Sequence, residues 1–128
     1  MIILGAGESG VITKRTVDQD KDSHRKVICF LDDEIRKKGK MLMGIPIYNT
    51  YEDFNTVIKK NKIDELIISI QELSRKRKEE IVDICLKNKI HVKAVPAATD
   101  WINGELNAKQ ITNIKIEDLL ERDTILLD

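Results

Sequence analysis

Five short apolar runs, separated by longer stretches of helical periodicity, constrain the fold of this chain more than any other feature. The runs are rich in Ile, Val and Leu and almost continuously apolar, and they span residues 1–4, 26–31, 44–48, 65–70 and 91–95. Strands that are covered on both faces have this composition. Their alternation with helical segments predicts a three-layer α/β Rossmann-like domain, with a parallel sheet in the order 3-2-1-4-5 and helices on both faces.

Three helices are predicted between the strands, over residues 8–19, 50–62 and 74–88. The third has the clearest apolar stripe, and Ser74 is suited to cap its start. The inner face of the first helix begins with the small residue Gly10, which allows close approach to the sheet. Residues 32–43 are predicted as a polar loop because they are rich in Lys and end at a glycine.

The chain of 128 residues, 41% of them hydrophobic, has enough apolar material for one compact core. We expect a nucleotide-binding domain over residues 1–96 and a C-terminal extension over residues 97–128. In the extension we predict a short helix at 97–102, a strand at 110–116 and a helix at 117–121. The abrupt start on an apolar strand, and the apolar end at Ile125, Leu126 and Leu127, suggest that the chain belongs to a longer protein.

The charge pattern argues against a nucleic-acid partner. Lys and Arg number 22, as do Asp and Glu, and no long stretch collects the basic residues as phosphate binding requires. No apolar run approaches the roughly 18 residues that cross a bilayer. We therefore expect no membrane contact by this chain and a cytoplasmic location.

The two cysteines, Cys29 and Cys85, lie among apolar neighbours and are expected to be buried, reduced thiols. His24 and His91 are far from each other and from both cysteines in sequence, so no zinc-ligand spacing is present. The sequence predicts no metal site.

A glycine-rich motif follows the first strand directly and opens the first helix. It fits G-x-G-x-x-G and consists of Gly5, Ala6, Gly7, Glu8, Ser9 and Gly10. In this context the first glycine permits a tight turn, the second lets a pyrophosphate approach the backbone, and the third lets the helix lie close to the sheet. The motif predicts nucleotide binding, with a ligand-free strand-to-helix turn as the alternative.

An acidic pair, Asp32 and Asp33, ends the second strand about 20 residues beyond the motif, as the dinucleotide fingerprint expects. A carboxylate there accepts hydrogen bonds from ribose hydroxyls and repels the 2′-phosphate of NADP. NAD is therefore the expected cofactor and CoA the less favoured one. The alternative is that the two aspartates only start a turn.

The catalytic groups of the short-chain dehydrogenase type are missing from the sequence. Those enzymes need a Tyr with a Lys four residues later, but Tyr48 and Tyr51 are followed at that distance by Glu52 and Asn55. No Gly-x-Ser-x-Gly sequence and no Walker lysine is present either. The basic run at residues 75–78 has two interpretations, a solvated helix face or an auxiliary phosphate or partner contact. The sequence predicts cofactor binding without catalysis by this chain alone.

Several segments together resemble one family. They are GAGESG at 5–10, FLDDE at 30–34, GIPIYNT at 44–50, IDELIISI at 63–70 and IKIEDLLERDTI at 114–125. The chain resembles the N-terminal Rossmann-like, CoA-binding-like domain of nucleoside-diphosphate-sugar epimerases and dehydratases of polysaccharide (capsule) biosynthesis. It departs from that family at residues 71–74, where the family commonly has a Pro or small-residue loop.

The resemblance implies that this module lies between a membrane anchor and a catalytic short-chain dehydrogenase domain of the same protein. The full-length protein would then be anchored to the inner membrane, bind NAD in its catalytic domain and act on a UDP-sugar such as UDP-N-acetylglucosamine. Two alternatives remain open. One is a ligand-free scaffold that self-associates, for example as a homodimer, through Trp101 and the C-terminal segment; the other is a CoA or redox-cofactor sensor.

Overall fold

The computed structural model describes residues 1–22 and 25–114 of the chain. These residues form seven strands and three α-helices. The strands are β1 (Ile2–Leu4), β2 (Cys29–Asp32), β3 (Met41–Leu42), β4 (Ile45–Asn49), β5 (Glu65–Ile68), β6 (His91–Ala94) and β7 (Thr112–Asn113). The helices are α1 (Glu8–Gln19), α2 (Thr50–Lys60) and α3 (Arg75–Lys87).

The sheet has the order β3-β4-β2-β1-β5-β6-β7. Its five central strands, from β4 to β6, pair in parallel and confirm the predicted order. The short strands β3 and β7 add antiparallel pairs at the two edges. The fold is therefore a Rossmann-like α/β sheet, in which β1 lies at the centre.

The sheet is covered on both faces, which explains the continuous apolar runs. In β1, Ile2 and Leu4 belong to the core on the side of α2 and α3, whereas Ile3 belongs to the core on the other side. All three side chains are fully buried. Ile111, which precedes β7, joins the second core, so the segment after residue 96 packs on the same sheet.

The two later helices begin at capping side chains. The Asn49 side chain accepts hydrogen bonds from the backbone N–H groups of Tyr51 and Glu52 at the start of α2, and the Ser74 side chain accepts one from Arg77 at the start of α3. The predicted cap at Ser74 is confirmed. Helix α1 starts differently, because its N-cap is Gly7 and no side chain caps it.

The predicted polar loop at 32–43 contains more structure than expected. Its middle forms a 3-10 turn (Ile35–Lys37), and its end forms β3, which returns into β4 through Met43 and Gly44. Both residues of this two-residue turn have positive φ, +53° and +81°. Such turns usually have the sequence Asn-Gly or Asp-Gly, so the Met-Gly sequence did not predict a hairpin.

The C-terminal predictions are met in part. The helix expected at 97–102 is a single 3-10 turn (Ala98–Asp100), and the strand expected at 110–116 is the short β7. Gln110 belongs to a 3-10 turn instead of the strand. His24, residues 115–116 of the predicted strand, the helix at 117–121 and the apolar end at 125–127 lie outside the described residues. In the described ranges, no helix is long and apolar enough to cross a bilayer.

A charge cluster at the amino end of β5 predicts a pH dependence of stability. Burial alone would raise the pKa of Glu65, but hydrogen bonds from Lys93 and Arg25 outweigh burial and hold it below its usual value. The unfolded chain therefore binds this proton more readily, so the stabilisation is complete above pH ~4.5 and is lost as pH falls through the lowered pKa. We expect Glu65→Gln to lower the free energy of unfolding by roughly 1–2 kcal/mol at pH 7. The difference from wild type should shrink towards pH 3 in urea titrations; a constant difference would contradict the assignment.

The burial of the two free cysteines predicts that both thiols are protected from chemical modification in the folded protein. Cys29 and Cys85 are buried, and burial raises the pKa of each to about 12. Because the thiolate is the reactive form, neither residue should react with a disulfide reagent at pH 8 in the folded protein, and both should react after unfolding in guanidinium. Variants in which one cysteine is replaced by serine show which of the two thiols has reacted. Rapid labelling of native protein at either position would overturn this prediction.

Candidate functional site

An open cleft of about 550 Å³ lies at the carboxyl ends of β1, β2 and β5. In a doubly wound sheet this is where the strand order changes direction and where ligands bind. The lining residues come from the loops after these three strands and include Gly5, Gly7, Glu8, Ser9, Asp32, Asp33, Lys37, Ser69 and Gln71. Of the eight predicted site residues, only Ala6 and Gly10 do not line the cleft, and both are buried behind it.

The first and third glycines of the motif are required by the backbone. Gly5 has a φ of +114°, and a Cβ on it would lie 3.2 Å from the carbonyl oxygen of Ser69. A Cβ on Gly10 would lie only 1.9 Å from the carbonyl oxygen of Gly5. Helix α1 can therefore approach the end of β1 this closely only because position 10 has no side chain.

Gly7 differs from the other two glycines. Its φ is −94°, and a Cβ placed on it would meet nothing within 4 Å. The residue faces the cleft, so this position borders open space where a ligand could approach the backbone. No packing or backbone constraint within the described chain requires a glycine here.

The start of α1 presents backbone donors to the cleft. The first backbone hydrogen bond of the helix runs from the N–H of Val11 to the carbonyl of Gly7, at 3.1 Å. The N–H groups of Glu8, Ser9 and Gly10 precede it and have no acceptor within the helix, as in any first turn. Together with the helix dipole they favour an anion. The exposed carboxylate of Glu8 also lies in this turn.

Asp32 holds the glycine loop against the end of β2. Its Oδ2 accepts a hydrogen bond from the N–H of Ala6 at 2.9 Å, and its Oδ1 accepts one from the N–H of Glu34, also at 2.9 Å. The ammonium of Lys37 lies 3.5 Å from Oδ2. Both carboxylate oxygens are thus engaged by the protein itself.

Asp33 turns to the other side and meets an arginine from α3. Arg77 donates from Nε to Oδ2 and from Nη2 to Oδ1, both at 3.2 Å. The guanidinium also lies 4.1 Å from the centre of the Tyr51 ring. Within the basic run at 75–78, Arg77 is thus a residue whose charge is directed at the cleft margin.

Buried Asn49 joins the acidic pair to helix α2. Its side-chain amide donates to the carbonyl oxygens of Asp32 and Asp33, at 3.3 and 3.4 Å, while its Oδ1 caps the helix. The backbone that carries both aspartates is therefore fixed by a residue that is only 2% exposed. The sequence analysis did not identify Asn49 as a site residue, because its bonds to the acidic pair depend on the pairing of β2 with β4.

A chain of hydroxyl groups crosses the floor of the cleft. The hydroxyl of Thr13 donates to the carbonyl of Ser9, so in its 2.8 Å contact with the Ser69 hydroxyl it must accept. By the same count, the hydroxyl of Ser9 donates to Ser69 at 2.9 Å and accepts from Gln71. The other end of the Gln71 amide accepts from the N–H of Ala98, which fixes the orientation of that side chain. The sequence analysis missed Ser69 and noted residue 71 only as a departure from the family.

The electrostatic character of the cleft is acidic. Its lining includes one ammonium group, on Lys37, and carboxylates on Glu8, Asp32, Asp33, Glu34 and Glu72. Positive potential is concentrated at the amides that start α1. The arrangement suits a ligand whose negative charge is confined to one group, while further phosphates would meet carboxylates. In the described part of the chain, no group of three or more His, Cys, Asp or Glu residues is placed to hold a metal ion.

The cleft, the glycine loop and the exposed start of α1 together define a Rossmann-like domain of the nucleotide-binding type. Within that class, the chain belongs to the family of CoA-binding domains, which matches residues 1–96. The resemblance stated from the sequence is confirmed at this level.

Two curated relatives come from polysaccharide biosynthesis. The chain is 31% identical to the capsular polysaccharide biosynthesis protein CapD of Staphylococcus aureus and 28% identical to the probable polysaccharide biosynthesis protein EpsC of Bacillus subtilis (strain 168). Both alignments cover 99% of this chain but only 21% of the relative. The chain thus spans about a fifth of the length of these proteins.

Solved structures agree with the fold. The chain is similar to UDP-D-quinovosamine 4-dehydrogenase from Vibrio fischeri, with a TM-score of 0.72 and 27% identity over 93% of this chain and 95% of that one. It also shares its fold with RSP, a Rex-family repressor. The RSP complex with β-NADH gives a TM-score of 0.62 at 20% identity and covers 98% of this chain and 57% of the repressor.

The glycine geometry predicts opposite effects of the same substitution at two positions. Gly10→Ala places a methyl group against the carbonyl of Gly5, so α1 must shift, and we expect the free energy of unfolding to fall by about 2–3 kcal/mol. Gly7→Ala, the matched control, meets no atom and should cost less than about 1 kcal/mol. Urea titrations of both variants test this difference. Equal losses would show that the helix does not approach the loop as described.

Proposed function

We propose that this chain is the NAD(H)-binding module of a longer nucleoside-diphosphate-sugar dehydratase or epimerase of polysaccharide biosynthesis, and that it does not catalyse the reaction by itself. The observation that carries the proposal is the open approach to the backbone at Gly7, beside backbone amides at the start of α1 that have no acceptor within the helix. A glycine that neither packing nor φ requires is readily explained by a ligand that needs the space.

The diphosphate bridge of the cofactor would lie over Gly7. There it would accept hydrogen bonds from the N–H groups of Glu8, Ser9 and Gly10 at the positive end of the helix dipole. The hydroxyl of Ser9 donates to Ser69, so within this turn the backbone amides are the donors that remain for the anion. The exposed Glu8 carboxylate would turn towards solvent when the diphosphate binds.

The acidic margin of the cleft favours NAD over the alternatives. NADP has an additional 2′-phosphate on its adenosine ribose and CoA has an additional 3′-phosphate, and either would approach the carboxylates around Asp32 and Asp33. NAD has hydroxyl groups at both positions. The RSP complex with β-NADH is consistent with this choice, since it is a protein of the same fold with NADH.

The lining of the cleft supports a binding role without chemistry. Its described residues include no histidine, cysteine or tyrosine, and its two serine hydroxyls take part in the hydrogen-bonded chain. We infer that a catalytic short-chain dehydrogenase domain of the same protein supplies the reaction, with residues 97–128 as the connection beyond the binding domain at 1–96. The buried free thiols fit the reducing environment of the cytoplasm.

CoA is the second candidate, favoured by the description of the family to which the chain belongs. CoA and NAD both contain an adenosine diphosphate, so the glycine loop by itself does not distinguish them. The distinction depends on the ribose margin of the cleft, where an extra phosphate is either repelled or bound.

Calorimetric titration with NAD, NADP and CoA tests the proposal. We expect NAD to bind best and Gly7→Val to abolish binding, because the branched side chain fills the approach to the amides. Thr56→Val, on the exposed side of α2, is the matched control and should bind as wild type does. Melting temperatures should confirm that both variants are folded.

Three outcomes would contradict parts of this proposal. Tight binding of CoA without NAD would favour the second candidate. If none of the nucleotides binds and ultracentrifugation shows a concentration-dependent dimer, the alternative of a ligand-free, self-associating scaffold would be favoured. Conversion of a UDP-sugar by the purified chain alone would overturn the non-catalytic role.

A further inference from the structure

The pair formed by Asp33 and Arg77 has features of a specificity element. We propose that Asp33, rather than Asp32, accepts the hydroxyl groups of an unphosphorylated adenosine ribose, and that Arg77 is a latent phosphate-binding group held inactive by Asp33. This inference rests on the proposed function, since it concerns which adenosine diphosphate ligand the same cleft selects.

The alternation of side chains along β2 continues into Asp33, the residue directly after the strand, and separates the two aspartates. Phe30 belongs to the core on the α1 side of the sheet, and Leu31 to the core on the side of α2 and α3. Successive residues of a strand point to opposite faces. Asp32 accordingly meets the glycine loop at Ala6, whereas Asp33 meets Arg77 from α3.

The available acceptor sites favour Asp33. A carboxylate has about four lone-pair sites on its two oxygens. On Asp32 both oxygens accept backbone N–H groups that hold the loop, and one also faces Lys37. On Asp33 each oxygen accepts one bond from Arg77, which leaves one site on each for a pair of adjacent hydroxyls. Because both bonds come from the same planar guanidinium, the carboxylate is also held in one orientation.

Arg77 is held in place by three groups. Its Nε and Nη2 bind Asp33, its Nη1 lies 3.4 Å from Glu80, and its plane lies over Tyr51. The side chain is only 13% exposed. A guanidinium is well suited to bind phosphate in a bidentate manner, but here Asp33 occupies the edge formed by Nε and Nη2, and Glu80 takes one N–H of Nη1. A ribose phosphate would have to displace Asp33 to bind that edge.

The position of Arg77 follows from the start of α3. Ser74 caps the helix by accepting from the N–H of Arg77, which fixes this residue in the first turn. That turn follows the loop after β5, whose residues line the cleft. The neighbouring Arg75 is oriented along the helix, towards Glu79.

The test compares ligands that differ only in a ribose phosphate. The pairs are NAD with NADP, and 3′-dephospho-CoA with CoA, titrated calorimetrically into wild type, Asp33→Ser, Arg77→Gln and the double variant. Wild type should prefer the unphosphorylated member of each pair by about tenfold to a hundredfold, as expected for a charge-assisted hydrogen bond. Asp33→Ser should lose this preference and bind CoA or NADP at least as well, because the guanidinium is released.

The other variants separate a specific role from a structural one. Arg77→Gln should weaken the binding of NAD roughly tenfold and should not increase the affinity for NADP or CoA. The double variant should lack the increased affinity for NADP and CoA that Asp33→Ser shows. Asp33→Asn preserves the shape of the side chain and replaces Asp33→Ser if that variant is unstable. It should also reduce the preference for the unphosphorylated ligands.

Each outcome bears on one proposal or on both. If wild type binds NAD but Asp33→Ser and Asp33→Asn keep its selectivity, the inference on Asp33 and Arg77 fails while the proposed function stands. If Asp33→Ser binds NADP or CoA more tightly than wild type and the double variant does so as well, Arg77 is not the phosphate-binding group. If wild type binds none of the four ligands, both proposals fail.

Discussion

The close approach of α1 to the end of β1 is the contact on which the rest of the site depends. The carbonyl of Gly5 lies 1.9 Å from where a Cβ of residue 10 would be, so the helix is nearer to the strand than any other residue type would permit. This proximity brings the free amides of the first turn to the edge of the sheet. It also brings Thr13 within hydrogen-bond distance of Ser69, which ties the helix to the loop after β5. A helix displaced by a methyl group would lose both features.

The acidic pair illustrates how one strand supplies two different contacts. Asp32 and Asp33 are adjacent in sequence, yet one carboxylate holds the backbone of the glycine loop and the other holds the guanidinium of Arg77. The period of two along β2 separates them, and Asn49 fixes the backbone from which both project. Substituting Asp32 would therefore release the backbone of the glycine loop, whereas substituting Asp33 would release the guanidinium of Arg77.

The family and the relatives constrain this protein in different ways. Membership in the CoA-binding domain family, with a Rossmann-like sheet, describes the scaffold that the residues build. The relatives CapD and EpsC are about five times as long, so their names describe proteins of which this chain matches only a fifth. The acidic margin of the cleft is a property of this chain, and a family name derived from a ligand does not predict it.

The sequence by itself determined the order of the parallel strands, the three helices and the position of the glycine loop. These features depend on local patterns, namely apolar runs, helical spacing and a contiguous motif at a strand-to-helix junction. It did not determine the hairpin at Met43 and Gly44, because that turn lacks the usual residues. Only the tertiary structure decided that Arg77 meets Asp33, 44 residues away, and that Gln71 meets Ser9, 62 residues away. Such contacts depend on how helices and loops pack over the sheet, and a local pattern does not specify which of several neighbouring polar side chains will come within hydrogen-bond distance.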